Sequence, residues 1–320
     1  MTTRASGAAL GACLVAAVLV PVFTTNSYVL HVLVLWLLFA LLALSLNIIV
    51  GYVGELSFGH AAFFGLGAYA SAIVTMQYGV PVIAGLIVAG LVAGVAGYGI
   101  GYVSLRIVGP QFAILTLGFG SIIYTVTNYW VDVTRGPMGI NNIPALTLPV
   151  VGPLSEARGF YYVVLAAVVA FGYVCHSLVS SRTGRAFLAV RENPQLAASI
   201  GIDVFKAKLL GFVMATVAAG VAGGLYAHYL RVITPELMGL QYVAALIIMV
   251  VVGGRGTIAG PIVGALIYVL LLELLRPFGP LRLAVFAALL TLSVIFLPNG
   301  LVSLASRWLP RKDVRSGAPA

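Results

Sequence analysis

Long apolar runs separated by short polar or glycine-rich connections make up most of the chain. Most runs approach the roughly 20 residues that a helix needs to cross a hydrocarbon core of about 30 Å. Because lipid cannot hydrogen-bond an open sheet edge, the runs are not predicted to be strands. They lie at residues 8–23, 29–51, 56–76, 80–103, 111–131, 160–180, 209–230, 240–253, 257–275 and 283–298.

The fold class predicted from this pattern is all-α. We expect a polytopic integral membrane protein with about ten transmembrane helices in a single transmembrane domain, residues 1–320. The run 240–253 is short and ends in glycine, so a broken or half-spanning helix is an alternative there. A signal peptide is the alternative for residues 8–23, but the apolar run continues past Cys13 and further spans follow.

Composition agrees with a membrane location. Hydrophobic residues make up 62% of the chain, charged residues 8%, and the mean hydropathy is +1.12. Soluble domains have about 45–50% apolar and about 25% charged residues. The net charge of +9 belongs to cations scattered between apolar runs, without the basic stripe of a nucleic-acid partner. Cys13 and Cys175 both lie in apolar runs, so we expect packing roles and no disulfide.

The distribution of cations predicts the orientation. With ten spans, both termini share one side, which carries 12 of the 17 Lys and Arg residues and all three lysines. Cytoplasmic connections hold the excess of Lys and Arg. We therefore expect cytoplasmic termini, a cytoplasmic tail at 299–320, a cytoplasmic loop at 182–208 and an external loop at 132–159.

The stretch 182–208 combines five cations, two acids and helix signals. Asn193 followed by Pro194 predicts a helix start, and Gly201 predicts its end. Leu196 and Ile200 lie one turn apart on one face of the helix between them. A short capped helix on a basic loop at a membrane surface is suited to being bound by a cytosolic partner.

Two glycine-rich joints, residues 51–60 and 253–261, share the pattern G-x-x-G-x-[Leu/Ile] and follow spans of the same direction. This favours an internal repeat, a known way of building transporters. The chain has no G-x-x-x-x-G-K-[ST] loop, so it is not expected to bind ATP by that device.

Polar residues near span ends are candidates for a pathway or for helix packing. Asn47 and Ser57 fit hydrogen bonds between helices, and Glu55 fits a helix N-terminus, where an acid is stabilised by the helix dipole. His60 fits a packed histidine better than a ligand. We find no metal-ligand spacing, no nucleophile–base constellation and no paired carboxylates, and therefore expect neither a metal site nor an enzyme.

The external loop 132–159 is rich in proline and glycine, which argues against a continuous helix. It is either a connector or a docking surface for an extracytoplasmic partner.

Four segments together resemble the LivM-type permeases of branched-chain amino-acid ABC importers. They are Leu44–Tyr69, Thr134–Ile140, Gly184–Asn193 and Gly253–Pro261. The resemblance extends over roughly residues 36 to 300. One departure is Arg135-Gly136-Pro137-Met138, which stands where a Gly-Gly-Pro-Asn-like sequence is expected.

The resemblance implies a permease subunit in a bacterial inner membrane, with a second homologous permease subunit, two ATP-binding subunits and a periplasmic solute-binding protein as partners, and no cofactor of its own. It implies coupling to the ATPases through Gly184, Arg185, Arg191, Glu192, Asn193, Pro194, Leu196, Ile200 and Gly201. Candidates for pathway or helix packing are Asn47, Gly51, Gly54, Glu55, Ser57, Gly59, His60, Gly253, Gly256 and Thr257. Candidates for docking of the binding protein are Arg135, Gly136, Pro137 and Gly139.

Other functions fit parts of the same pattern. Importers for urea, short amides or other small solutes have the same permease type. An ion-coupled secondary carrier would need acids in mid-span, whereas Glu55 and Glu273 lie near span ends.

Overall fold

The structure is a computed structural model that describes residues 15–24, 26–107, 109–148, 152–153, 157–279 and 301. The main helices are α1 (Ser27–Asn47), α2 (His60–Tyr78), α3 (Val82–Ser104), α4 (Pro110–Tyr129), α5 (Ala157–Ser180), α6 (Arg182–Glu192), α7 (Pro194–Ser199), α8 (Val204–Leu230), α9 (Leu240–Gly253) and α10 (Ala259–Leu274). Residues 15–23 are also helical. The predicted all-α fold class is confirmed.

Shorter elements lie between these helices. A helical turn at Val131–Thr134 and 3-10 turns at Gly136–Met138, Pro235–Met238 and Arg276–Phe278 are joined by four two-residue strands. The strands are β1 (Ile140–Asn141), β2 (Thr147–Leu148), β3 (Gly152–Pro153) and β4 (Val232–Ile233); β1 pairs antiparallel with β4, and β2 pairs antiparallel with β3.

Five helices in the described part of the chain are long and apolar enough to cross a membrane. They are Ser27–Val53, Val82–Ser104, Pro110–Tyr129, Ala157–Ser180 and Val204–Leu230. The shorter helices α9 and α10 are also apolar. The expected total of ten spans stays a prediction, because the run 283–298 and the start of the run 8–23 lie outside the described residues.

The centre of the bundle is α8, which packs against α2 and α3 along its length and also contacts α1. A Cβ atom on Gly223 would overlap the carbonyl oxygen of Phe64, and one on Gly67 would overlap the backbone of Gly220. In lipid, helices associate through close packing, for which small residues are needed. These glycines therefore set the distance between α2 and α8.

The segment between α8 and α9 lies between the predicted spans 209–230 and 240–253. After Leu230 the chain runs through β4 and the 3-10 turn, and this turn packs between α2 and α4. Leu237 and Met238 are buried, and Met238 lies directly against Gly65 of α2. Helix α9 then has 14 residues, about 21 Å at 1.5 Å per residue. The helix is continuous from Leu240 to Gly253, so a break within this run is not seen, and the half-spanning alternative stays a prediction.

The connection after α4 is fastened to the end of α8. The described part has no continuous helix, in agreement with its prolines. His228 bonds through its ring nitrogens to Ser71 Oγ and to the carbonyl oxygen of Pro144, at 2.8 and 2.7 Å. Arg231 Nε donates to the carbonyl oxygen of Ile143 at 3.1 Å. These bonds and the β1–β4 pair hold the connection against the bundle.

We predict that Gly223→Val lowers the stability of the bundle by about 1–3 kcal/mol, the usual cost of forcing extra atoms into a packed interface. The measurement is the thermal unfolding midpoint of the purified chain in detergent. Gly172→Val is the matched control, because a Cβ there meets no heavy atom within 4 Å. Equal midpoints for the two variants would contradict the packing role of Gly223.

Candidate functional site

The first glycine-rich joint begins where α1 changes its hydrogen-bond pattern. Beyond Asn47 the helix widens into a π-helix at Ile48–Val53 and ends at Gly54, whose φ of 90° favours glycine. The backbone N–H groups of Gly54 and Glu55 both donate to the Ile49 carbonyl oxygen, at 2.9 and 3.0 Å. No helix follows until His60, so the chain crosses this joint in extended and turn conformations.

The second joint connects α9 to α10 through Gly254 and Gly256, whose φ angles are 122° and 75°. Thr257 Oγ1 donates to the Gly254 carbonyl oxygen at 2.9 Å and accepts from the backbone N–H of Gly260 at 3.0 Å. Its hydroxyl therefore closes the turn and satisfies a donor in the first turn of α10.

Asn47 joins the two joints directly. Its Nδ2 donates to the Thr257 carbonyl oxygen at 2.8 Å, and its Oδ1 accepts from the Gly256 backbone N–H at 2.9 Å. The side chain is 1% exposed. A Cβ on Gly51 would lie 2.5 Å from the Gly256 nitrogen, so the backbones touch here. The two segments that the sequence pattern relates are thus in contact, although the duplication itself stays a prediction.

Arg191 of α6 reaches the same place. Its Nη1 donates to the Gly51 carbonyl oxygen at 2.6 Å, and its Nη2 lies 3.4 Å from the Glu192 carboxylate. A Cβ on Gly54 would lie 2.7 Å from Arg191 Cγ, and one on Gly256 would lie 2.9 Å from Nη1. The glycines of both joints therefore leave the space that the arginine occupies. We call Asn47, Gly51, Gly54, Arg191 and Gly256 the joint cluster.

Helix α6 holds Arg191 in place and was not predicted as a separate helix. Ser181 caps it by accepting from the Gly184 backbone N–H at 3.2 Å, and Phe187 and Val190 bury one face. A Cβ on Gly184 would overlap the backbone of Leu178 and Val179. The apolar positions are few among the cations, which explains why the sequence pattern alone indicated a loop.

Helix α7 begins and ends as the sequence predicts. Asn193 Oδ1 accepts from the backbone N–H groups of Gln195 and Leu196, each at 3.0 Å, and Pro194 occupies the first helical position. Gly201 follows with a φ of 87°. Leu196 and Ile200 are 63% and 69% exposed, so the helix presents an apolar pair to its surroundings.

Helix α8 starts directly after α7 and carries a second link to the first joint. Asp203 caps α8, and the backbone N–H of Lys206 lowers the pKa of this exposed carboxyl by donating to it. Lys208, one turn further, forms an ion pair with Glu55, and the side chains are 6% and 13% exposed. Removing one partner of such a buried pair leaves an uncompensated charge.

The expected position of Glu55 in the first turn of α2 is wrong, because α2 begins at His60 and Glu55 lies in the joint before it. Sequence reasoning also missed Lys208 as its partner, which is 153 positions away. The available signal was the position of Lys208, the second of two lysines in the first turns of a long apolar helix.

Ser57 and His60 lie inside the chain. They are 0% and 1% exposed, and His60 Nε2 bonds with Ser45 Oγ at 2.8 Å. Among the described residues, Ser57 Oγ and His60 Nδ1 have no hydrogen-bond partner. A Cβ on Gly59 would overlap the Thr116 carbonyl oxygen of α4. The two side chains therefore face neighbouring helices of this chain.

The candidate docking residues lie at the opposite end of the bundle from the joint cluster. Arg135 and Gly136 have φ angles of 62° and 58°, and Gly139 packs against the backbone of Ile233 in β4. Pro137 lies in the 3-10 turn Gly136–Met138. Sequence reasoning did not identify β4 as the strand that supports this turn. Within the described ranges no group of three His, Cys, Asp or Glu residues is placed to hold a metal ion.

We predict that Asn47→Leu lowers the free energy of unfolding by about 1–3 kcal/mol, because the part-buried N–H of Gly256 and carbonyl of Thr257 lose their hydrogen-bond partner. The measurement is the thermal midpoint in detergent. Gln77→Leu makes the same change of side-chain type at an exposed position of α2 and serves as control. An unchanged midpoint for Asn47→Leu would show that the two joints are held together by other contacts.

Comparison with known proteins gives the family. The sequence profile described as branched-chain amino acid transport system / permease component matches residues 28–297. The high-affinity branched-chain amino acid transport permease LivM of Escherichia coli K12 is 31% identical over 306 residues, which cover 89% of this chain and 71% of LivM. LivM of Salmonella typhimurium is 31% identical over 303 residues, covering 88% and 71%.

A second group of relatives carries another name. The E. coli K12 permease LivH is 27% identical over 246 residues, which cover 72% of this chain and 79% of LivH. No solved structure matches the chain. The matched residues include every member of the joint cluster and the whole of α6 and α7. The chain is therefore a multi-pass membrane protein that belongs to the branched-chain amino acid transport permease family, as its resemblance to LivM-type permeases predicted.

Proposed function

We propose that this chain is the transmembrane permease subunit of an ABC importer for branched-chain amino acids, located in a bacterial inner membrane and driven by separate ATP-binding subunits. The observation that carries the proposal is the contact between α6 and the two glycine-rich joints through Arg191. This contact connects an exposed, capped helix outside the spans to the ends of α1 and α9.

The exposed helix α7 is the proposed contact for the ATP-binding subunits. Leu196 and Ile200 supply an apolar pair that a cleft in a partner can bury, and Asn193 and Gly201 fix both ends of the helix. A surface helix that exposes apolar residues on one face is suited to lie in an apolar groove of another protein.

Movement of α7 would reach three spans by short connections. Through α6, Arg191 connects to the Gly51 carbonyl oxygen at the end of α1, and Asn47 passes the connection to the start of α10. Through α8, the Lys208–Glu55 ion pair connects to the same joint. Packed, hydrogen-bonded elements of this kind shift as units, which is what alternating access to a site near the membrane centre requires.

The orientation follows from the charges. The loop 182–208, which contains α6 and α7, carries five cations, the largest group in any connection, and we assign it to the cytoplasmic side with both termini and the tail 299–320. The turn with Arg135, Gly136, Pro137 and Gly139 then faces outward. This turn is held by β4, and Met138 within it is 83% exposed, so it offers a firm surface for a solute-binding protein.

A second, homologous permease subunit is the proposed neighbour within the membrane. Support comes from the similarity of this one chain to proteins named LivM and to proteins named LivH. We place the solute pathway between the two subunits. Because Ser57 and His60 are enclosed within this chain, we assign them to helix packing. The connection before α9 exposes Glu236, and α9 begins with the exposed Leu240; these two residues are better candidates for the pathway lining.

An ion-coupled carrier is less well supported. Such a carrier needs an ionisable group in mid-span. Glu55 is paired with Lys208, and Glu273 is paired with Arg276 at the end of α10, at 3.2 Å. No other acid occurs within a spanning helix of the described part of the chain. Importers for urea or short amides would have the same coupling arrangement, and a solute competition assay separates them.

The test of the proposal is uptake by the complete importer in proteoliposomes. We expect radiolabelled leucine to accumulate only with ATP, both ATP-binding subunits and the solute-binding protein present, and unlabelled isoleucine or valine to compete. If urea or acetamide, and not isoleucine or valine, abolishes the uptake, the assigned solute is wrong. Gradient-driven uptake by this chain alone would overturn the proposal.

We predict that Arg191→Gln lowers ATP-dependent uptake about tenfold or more, since one hydrogen bond from a charged group contributes about 1.5–3 kcal/mol. The same preparation is checked for membrane insertion and for binding of the ATP-binding subunits, both of which should persist. Arg182→Gln removes an exposed cation from the same helix and is the matched control. Full uptake by Arg191→Gln would contradict the proposed role of α6 in coupling.

We predict that Leu196→Asp weakens binding of the ATP-binding subunits about tenfold or more, because a carboxylate would be buried without a partner in their cleft. Affinity is measured by titrating the purified subunits against the permease in nanodiscs. Gln195→Asp introduces the same acid at the neighbouring exposed position, which points away from Leu196. Equal weakening by both variants would indicate general charge repulsion and would contradict an apolar contact at Leu196.

A further inference from the structure

A groove of about 430 Å³ lies where α3 ends beside the start of α8. Its lining is formed by Leu105, Arg106, Pro194, Val204, Phe205 and Lys208. This volume is within the range of about 300–1,000 Å³ that small-molecule sites have. The lining contains two cations and no acid. We call it the Arg106 groove.

The positive charge available to a ligand comes from Arg106. Lys208 is already paired with Glu55, and the nearby Asp203 is paired with Lys206 at 3.0 Å. Arg106 is exposed and forms no ion pair with any described carboxylate. Its guanidinium carbon lies 4.4 Å from the ring centroid of Tyr102 and 5.7 Å from that of Phe205. The two rings hold the guanidinium in place, with its charge uncompensated by any described acid.

The depth of the groove in the membrane is indicated by α3. Tyr98 and Tyr102 stack with ring centroids 6.1 Å apart and are 54% and 43% exposed. Exposed tyrosines of membrane proteins concentrate at the level of the lipid headgroups. The groove therefore lies at the edge of the hydrocarbon layer, on the side of α6 and α7.

The face of α3 that carries Tyr98 and Tyr102 continues towards the start of the helix as an exposed apolar stripe. The opposite face carries Gly90, Gly94 and Gly97, which pack against Val217 and Thr216 of α8. The outward residues repeat every three or four positions and span about 29 Å, close to the thickness of a hydrocarbon core. They are Ile83, Ile87, Leu91, Val95, Tyr98 and Tyr102, all exposed.

We propose that the Arg106 groove binds the phosphate of an anionic phospholipid of the cytoplasmic leaflet, with an acyl chain lying along the apolar stripe of α3. This inference rests on the orientation given under the proposed function. Basic pockets between helices on the cytoplasmic side suit anionic headgroups. Planar guanidinium groups bind phosphate oxygens through two parallel hydrogen bonds. Pro194 of α7 is part of the lining, so the lipid would touch the start of the helix that contacts the ATP-binding subunits.

The test uses the purified full chain in detergent, titrated with phosphatidylglycerol or with phosphatidylcholine, and counts bound lipids by native mass spectrometry. Wild type is expected to prefer phosphatidylglycerol, and Arg106→Gln to lower the affinity for it about fivefold, which corresponds to one cation at a membrane surface. Arg106→Lys, which keeps the charge, is expected to retain a preference. Arg182→Gln, an exposed cation outside the groove, is the matched control and should bind as wild type does.

Three results would overturn the assignment. The first is equal affinity of wild type and Arg106→Gln for phosphatidylglycerol. The second is displacement of the lipid by millimolar inorganic phosphate, which would assign the groove to a soluble anion. The third is equal affinity of the wild type for phosphatidylglycerol and phosphatidylcholine, which would remove the role of the anionic headgroup. The titration needs neither ATP nor partners, so its failure is distinguishable from a failure of the proposed import activity.

Discussion

The arrangement depends on one requirement, that backbone polar groups at a break between helices find partners although lipid offers none. At the joint cluster, two side chains meet it. Asn47 satisfies an N–H and a carbonyl of the second joint, and Arg191 satisfies a carbonyl of the first. Both come from helices outside the backbone segments that they serve. The joints are therefore stable only when α1, α6 and α10 are assembled together. The hydrogen bonds that satisfy the backbone groups of the joints also connect these three helices to one another.

Close approach of helix backbones at glycine residues is the second requirement of this arrangement. Glycine at 51, 54 and 256 leaves space for a guanidinium and for the neighbouring chain, while Gly223 and Gly67 bring α8 against α2. In the absence of a hydrophobic driving force between helices, such contacts supply much of the association energy. One set of glycines thus shapes the joints and another packs α8 on α2, while Arg191 connects α6 to the first joint and Lys208 connects α8 to the same joint.

Features that depend on neighbouring positions could be predicted from the sequence. The apolar helices of the described residues followed from apolar runs, and both ends of α7 followed from Asn193, Pro194 and Gly201. Features that depend on distant partners could not. Asn47 was expected to bond between helices, but its partners are more than 200 positions away. The pairing of β4 with β1 and of Lys208 with Glu55 is of the same kind. Helix α6 was missed because its stability comes from burial of Phe187 and Val190, which a sparse apolar pattern does not reveal.

The widened last turn of α1 has a consequence for the connection between α1 and α6. In a continued α-helix, the amide of Glu55 would donate to the oxygen four residues back, on Gly51. Here that amide is diverted to Ile49, so the Gly51 oxygen is a spare acceptor, and the guanidinium takes it. Shortening this stretch by a single residue would restore ordinary helix geometry and consume the acceptor. Helix α6 would then lose its hydrogen bond to α1 without any change in its own sequence.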